Sequence, residues 1–272
     1  MALQSDSIDD IDVPVGISGT TQWWIFDTGS NVTSISLSSA KQLGLTLSKG
    51  HASTQSGGTG REVSLSTTVI PELHFGSAVL HNVAALVMDD KLLDIDLGKN
   101  GHYQIRGILG YPVLAPLGSF TVSESEMMVS PEARPSTRSA KLYVEELTPL
   151  VEAKVDNKEL LFQFDTGQSN AELSAKYVRA FPQQFASLKG TKAGIGGAGG
   201  VRPLAAYSLP KLVLHLGPAT ATFANVRAIS QDRGVYPQDE LFGNLGQGLL
   251  KQFRTYTIDF HGMQLILGEH AQ

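Results

Sequence analysis

Apolar and polar residues alternate over short stretches of this chain and seldom recur at helical spacing. Val13, Val15 and Ile17 alternate up to a polar SGTT turn, and Trp23 to Phe26 then form an aromatic and aliphatic run that stops at Asp27-Thr28-Gly29. The pattern predicts strand, turn, strand and an acidic loop, with the first strand beginning near Val13. It is written a second time. A shift of 138 positions places Val13 on Val151, Val15 on Ala153, Ile17 on Val155, Trp23 on Leu161, Phe26 on Phe164 and Asp27 on Asp165.

Three further blocks recur in the same order. IPELHFG (70–76) resembles LPKLVLHLG (209–217), HNVAAL (81–86) resembles ANVRAI (224–229), and GILGYPVLAPLGSFTV (107–122) resembles GNLGQGLLKQFRTYTI (243–258). An internal repeat changes the fold reading before any other signal does. Here it implies a lobe over residues 8–125 and a similar lobe over 142–270. A segment over 126–141, rich in proline, serine and charge, reads as the linker. Helical spacing is confined to SSAKQLGL with its counterpart AKYVRAF, and to the residues after each Leu-Gly. The expected class is all-β, mainly strands with a few short helices, in two similar lobes around a cleft.

A chain of 272 residues is long enough for two lobes with cores of their own. A net charge of -5 without a basic block argues against nucleic-acid or anionic-membrane partners. The absence of cysteine excludes a disulfide framework, a thiol nucleophile and thiolate metal sites. The seven histidines have neither HxxxH nor HExxH spacing, so no metal is expected. No apolar run is long enough to span a bilayer, and the start, MALQSDSIDDIDVPV, lacks the marks of a secretion signal.

The chemistry therefore rests on the two acidic loops. If the lobes pack about a pseudo-twofold axis, Asp27 and Asp165 face one another. Two charges about 4 Å apart repel by about 4 kcal/mol at an effective dielectric near 20, or roughly three pKa units. The pair then holds one proton, so one member is an acid and the other a base at the same pH. Hydrolysis of an amide by water needs both.

With its paired FDTG motifs and its paired GILG (107–110) and GNLG (243–246) motifs, the chain resembles the aspartic proteases. The nearest likeness is to retropepsin-like bacterial aspartyl proteases with two lobes fused in one polypeptide, and it covers nearly all of the chain except the ends and the linker. The resemblance implies two acid-protease β-barrel lobes about a pseudo-twofold axis. It further implies Asp27 and Asp165 as the catalytic dyad and Leu-Gly motifs that buttress the acidic loops. Thr28 and Thr166 are implied to bond across the axis, Gly29 and Gly167 to permit the tight turn and to help hold the carboxylates through their amides. Ser30, which follows the family pattern, is expected to reach the outer oxygen of Asp27. Gln168 departs from that pattern, which keeps a catalytically idle peptide-binding protein open as the alternative.

Two glycine-rich stretches, SGGTGREV and KAGIGGAGGVRPLAAY, each stand about thirty residues after an acidic loop. They read as hairpin flaps, with tips at Gly57, Gly58, Thr59 and Gly60, and at Gly196, Gly197, Ala198 and Gly199. The formal GxGxxG in the second runs into Arg202-Pro203 rather than a helix, so a dinucleotide site is rejected. GQSNA at residues 167–171 is not a nucleophile elbow, and the NVT sequon at Asn31 lies in a loop expected to line the cleft. The implied partner is a peptide or protein substrate, with no cofactor. Both acidic loops occur in one chain, so a monomer is expected, ahead of a scaffold assembled by swapping lobes. Residence in the periplasm or outside the cell is expected only if a leader has been removed.

Overall fold

The computed structural model describes residues 1–5, 10–48, 52–55, 62–197, 200–236 and 238–271. Strands dominate it. The first barrel comprises β1 (Ile11–Ile17), β2 (Thr20–Phe26), β3 (Ser34–Ser36), helix α1 (Leu37–Gln42), β4 (Glu62–Phe75), β5 (Ala78–Met88) and β6 (Gly107–Leu109). Its strand order is β1-β2-β6-β3-β5-β4, and β4 returns to β1 through Val15↔Phe75, Gly16↔His74 and Ile17↔Leu73. The ring is closed. Helix α2 (Tyr111–Leu114) follows β6 directly.

Alternation explains the inward face of β1: Val13, Val15 and Ile17 are buried while the residues between them face outward or onto neighbouring strands. The β1–β2 turn places Ser18 at φ 50° and Gly19 at φ 75°, a two-residue hairpin whose twist suits the flanking strands. Asp156 and Asn157 turn the same way between Val155 and Lys158, at φ 48° and 63°. Glycine and asparagine supply the positive φ cheaply.

After α2 the chain crosses the molecule. β7 (Ser119–Val122), β8 (Met127–Ser130) and β9 (Ala140–Glu145) lead to β10 (Thr148–Val155), β11 (Lys158–Phe164), β12 (Glu172–Leu173) and helix α3 (Ala175–Ala180). Then come β13 (Thr191–Gly197), β14 (Gly200–Leu216), β15 (Ala219–Ile229), β16 (Gly243–Leu245), helix α4 (Gln247–Leu250), β17 (Tyr256–Asp259) and β18 (Gln264–Leu267). The order β10-β11-β16-β12-β15-β14 forms a second ring, closed at Lys154↔His215. In both rings the strand before the acidic loop runs parallel to the strand that ends in Leu-Gly.

A continuous sheet, β8-β7-β17-β18-β9-β10, joins the crossover segment to the second ring. At its centre Thr121 opposes Thr257, and their hydroxyls hydrogen-bond at 2.9 Å. β8 falls within residues 126–141 and takes the edge of this sheet. Phe120 reaches from the sheet into the first barrel, its ring centroid 5.0 Å from Phe26, 6.3 Å from Phe75 and 6.0 Å from Phe260. One buried apolar cluster runs through both rings as a result.

Candidate active site

Asp27 leaves the end of β2 and Asp165 the end of β11, and each is held at its backbone by the neighbouring Leu-Gly strand. The Asp27 N–H donates to the Leu109 carbonyl at 3.1 Å, and the Asp165 N–H donates to the Leu245 carbonyl at 3.0 Å. The glycines of those motifs are required by close approach. A Cβ on Gly110 would lie 2.2 Å from the Val32 carbonyl oxygen, and one on Gly246 would lie 1.9 Å from that of Gln168. The next residues clamp the loops, with the Tyr111 N–H on the Ser30 carbonyl and the Gln247 N–H on the Gln168 carbonyl, both at 2.8 Å.

Between the loops, Thr28 and Thr166 form a reciprocal set of hydrogen bonds. The Thr28 N–H donates to Thr166 Oγ1 and the Thr166 N–H to Thr28 Oγ1, each at 3.0 Å. Thr28 Oγ1 in turn donates to the Phe164 carbonyl at 2.9 Å, and Thr166 Oγ1 to the Phe26 carbonyl at 2.6 Å. Both threonines are wholly buried. Each hydroxyl donates once and accepts once, so four buried backbone groups are satisfied across the lobes.

This lock brings the half-buried carboxyls of Asp27 and Asp165 into hydrogen-bonding contact. Each packs on the other loop's glycine: a Cβ on Gly29 would lie 2.2 Å from Asp165 Cγ, and one on Gly167 would lie 2.6 Å from Asp27 Cγ. Neither glycine has a positive φ. Room for the opposite carboxyl, rather than a tight left-handed turn, is what demands glycine there. The Gly29 N–H donates to Asp27 Oδ1 at 2.8 Å and the Gly167 N–H to Asp165 Oδ1 at 3.0 Å.

The outer contacts differ between the lobes and correct one expectation. The Ser30 hydroxyl donates to the Val32 carbonyl at 2.7 Å, while it is the Ser30 N–H that reaches Asp27 Oδ1, at 3.1 Å. The tight loop turns that hydroxyl back on its own backbone. Gln168 contributes through its backbone, its N–H donating to the Asp165 carbonyl at 3.2 Å and its carbonyl accepting from Gln247. Asn244, which the sequence reading passed over, donates from Nδ2 to Asp165 Oδ2 at 2.8 Å. Gln247 Nε2 donates to the Thr166 carbonyl at 2.7 Å. The available signal was the contrast between GILG and GNLG, a polar residue in an otherwise apolar motif.

Electrostatics follow from this asymmetry. Burial first, then the Asp165 charge and a hydrogen bond with that residue, push Asp27 well above its ordinary 3.8, against the pull of the Gly29 and Ser30 amides. Burial also raises Asp165, but hydrogen bonds from Asn244, Asp27 and Gly167 oppose the rise. Both carboxyls are therefore raised, Asp27 the more strongly, so the pair takes up a proton more readily than free aspartates would.

Of the flap residues expected from the sequence, Gly57, Gly58, Thr59, Gly60, Ala198 and Gly199 lie outside the described residues. Gly196 and Gly197 end β13, paired with Val201 and Gly200 of β14, so the second glycine-rich stretch is a β-hairpin. Among the described residues no three histidine, aspartate or glutamate side chains come together as metal ligands, and no helix is long and apolar enough to cross a membrane.

Two β-barrels that each deliver an Asp-Thr-Gly loop to a common point define an acid-protease type of fold. Residues 13–113 match a family model described as aspartyl protease. No curated protein matches the chain.

Two outcomes are expected. Thr28→Val strands the Thr166 N–H and the Phe164 carbonyl in a buried site and costs roughly 2–6 kcal/mol; Thr28→Ser, which keeps the hydroxyl, costs much less, and urea unfolding of the two variants measures the difference. Because both carboxyls titrate above 3.8, the folded protein holds protons that the unfolded chain has already released. Stability is then fully present below about pH 4 and declines as the pH rises through the folded values. Melting temperatures recorded across pH should show that decline in the parent and a flatter profile in Asp27→Asn.

Proposed function

We propose that the protein is an aspartic endopeptidase that hydrolyses peptide bonds with water activated between Asp27 and Asp165. The observation that carries this reading is the hydrogen-bonded contact of the two carboxyls, each seated on the other loop's glycine. The charged Asp165 takes a proton from the attacking water, while the protonated Asp27 donates its proton to the carbonyl oxygen of the scissile bond. The gem-diol that results collapses as Asp165 passes its proton to the leaving nitrogen and Asp27 recovers one from a diol hydroxyl. No acyl-enzyme forms.

The remaining parts have supporting tasks. Thr28, Gly29, Ser30, Thr166, Gly167 and Gln168 hold the two loops. The hairpin of β13 and β14 and its counterpart after β3 act as flaps over an extended substrate, which binds as an added strand. One chain supplies both acids, so the active unit is a monomer built of two duplicated lobes.

Incubation with a denatured protein mixture from acidic to neutral pH should yield fragments, and Asp27→Asn or Asp165→Asn should reduce the rate by about 10²–10⁴-fold, a general acid–base contribution. Equal fragments from all three proteins would mean a contaminant and remove the proposal; binding of peptide without cleavage by the parent would favour the idle peptide-binding protein. Asn244→Leu provides a finer check. Losing a hydrogen bond to a charged carboxylate raises the Asp165 pKa, so the acid limb of the kcat/KM profile should move to higher pH. An unmoved limb would show that Asn244 does not govern the charge.

A further inference from the structure

Glu172 is a buried acid for which the reaction above has no use. It stands on β12, opposite Asn244 of β16 and beside Arg227 of β15, and only 4% of it is exposed. Arg227 Nε donates to one of its oxygens at 2.5 Å, and Arg233 is paired with the other. A buried carboxylate has to be paired and hydrogen-bonded, but one arginine would neutralise it. The remaining contacts of the two arginines show what the second achieves. Arg227 Nη1 donates to the Gly194 carbonyl of β13 at 3.2 Å, and the Arg233 carbonyl accepts from Arg202 Nη1 of β14 at 3.0 Å. Both strands of the second glycine-rich hairpin are therefore tied to one acid.

The tie on β13 falls where the sheet is weakest. β13 is the edge strand, and Gly194 opposes Pro203, which has no N–H to donate. The Arg227 guanidinium supplies a donor in its stead. At the other end of the cluster, Asn244 donates to Asp165. Backbone pairing and hydrogen bonds thus run from Asp165 through Asn244 and Glu172 to the base of the hairpin. The first barrel is built differently, because the repeat puts Ser34 in the place of Glu172 and Ala84 in the place of Arg227.

We propose that Glu172, Arg227 and Arg233 are positioning residues that clamp the second hairpin to the strands behind Asp165, and that substrate affinity depends on this clamp. The inference rests on the flap role given to the hairpin in the peptidase reading. A clamp serves bound substrate and transition state alike, so its loss raises KM and leaves kcat unchanged.

Arg227→Lys isolates the tie to the hairpin, since an ammonium can stay with Glu172 but lacks the fork that serves Gly194 at the same time. Its KM for a cleaved peptide should rise about tenfold, the worth of one hydrogen bond, at unchanged kcat. Hydrogen exchange read by mass spectrometry should show β13 exchanging about tenfold faster than in the parent, with β10 and β11 unaltered. Arg179→Lys, at the exposed pair with Asp232 in the same barrel, is the control and should change neither quantity. Where Arg227→Lys does not fold, Arg202→Met frees β14 instead and is read in the same way. An unchanged KM, a kcat that falls while KM holds, or parental exchange of the hairpin would each overturn the clamp and leave the peptidase intact. Exchange needs no activity, so the two readings fail separately: a parent that cleaves no peptide at any pH removes the peptidase reading, while faster exchange of β13 in Arg227→Lys would still support the tie between Glu172 and the hairpin.

Discussion

The molecule turns on the exchange of hydrogen bonds between Thr28 and Thr166. Two loops at the ends of separate strands have no reason to meet unless their buried amides and carbonyls find partners there, and each threonine hydroxyl satisfies one donor and one acceptor of the opposite loop. Register follows from the lock. Once the hydroxyls engage, Gly29 and Gly167 lie where the opposite carboxyls need space, and any larger residue would push the two acids apart. The Leu-Gly strands then hold each loop from behind through the Leu109 and Leu245 carbonyls. A close pair of acids, which would repel if both were ionised, is thus imposed by neutral contacts around it.

Symmetry of backbone does not extend to symmetry of charge. Asp27 receives two backbone amides on one oxygen, whereas Asp165 has an amide on one oxygen and the Asn244 side chain on the other. The difference is one reason Asp165 is raised less than Asp27. Gln163 and Asn244 stand beside Asp165 where Ile25 and Ile108 stand beside Asp27, so one flank of the pair is polar and the other apolar, and Asn244 bears on both the titration of Asp165 and the polarity of its surroundings.

Much of this was legible in the sequence because the repeat exposes the positions that matter. Alternation in Val13, Val15 and Ile17 marked β1, the polar SGTT stretch marked the first hairpin, and the residues after each Leu-Gly formed α2 and α4 as expected. That Asp27 and Asp165 follow directly on strands was legible from the apolar runs before their motifs. The task of Ser30 was not, since the direction of a hydroxyl depends on how tightly the loop turns back on Val32. Asn244 was hidden for another reason. Periodicity places it on a strand, but only the parallel pairing of β16 with β11 brings its amide to Asp165. The Glu172, Arg227 and Arg233 cluster likewise assembles from segments far apart in the chain, and no local pattern marks it.

The crossover sheet carries a consequence for how the chain is made. β7 precedes the second ring in the chain, yet one of its two partners, β17, follows that ring. The first barrel can close its ring early from its own strands, but the sheet that joins β7 to the second ring waits for β17 and β18, and such long-range pairing is slow to nucleate. A nascent or truncated chain therefore carries an acidic loop without its partner. The two acidic loops can meet only after β11 has been made and the second ring has formed around it.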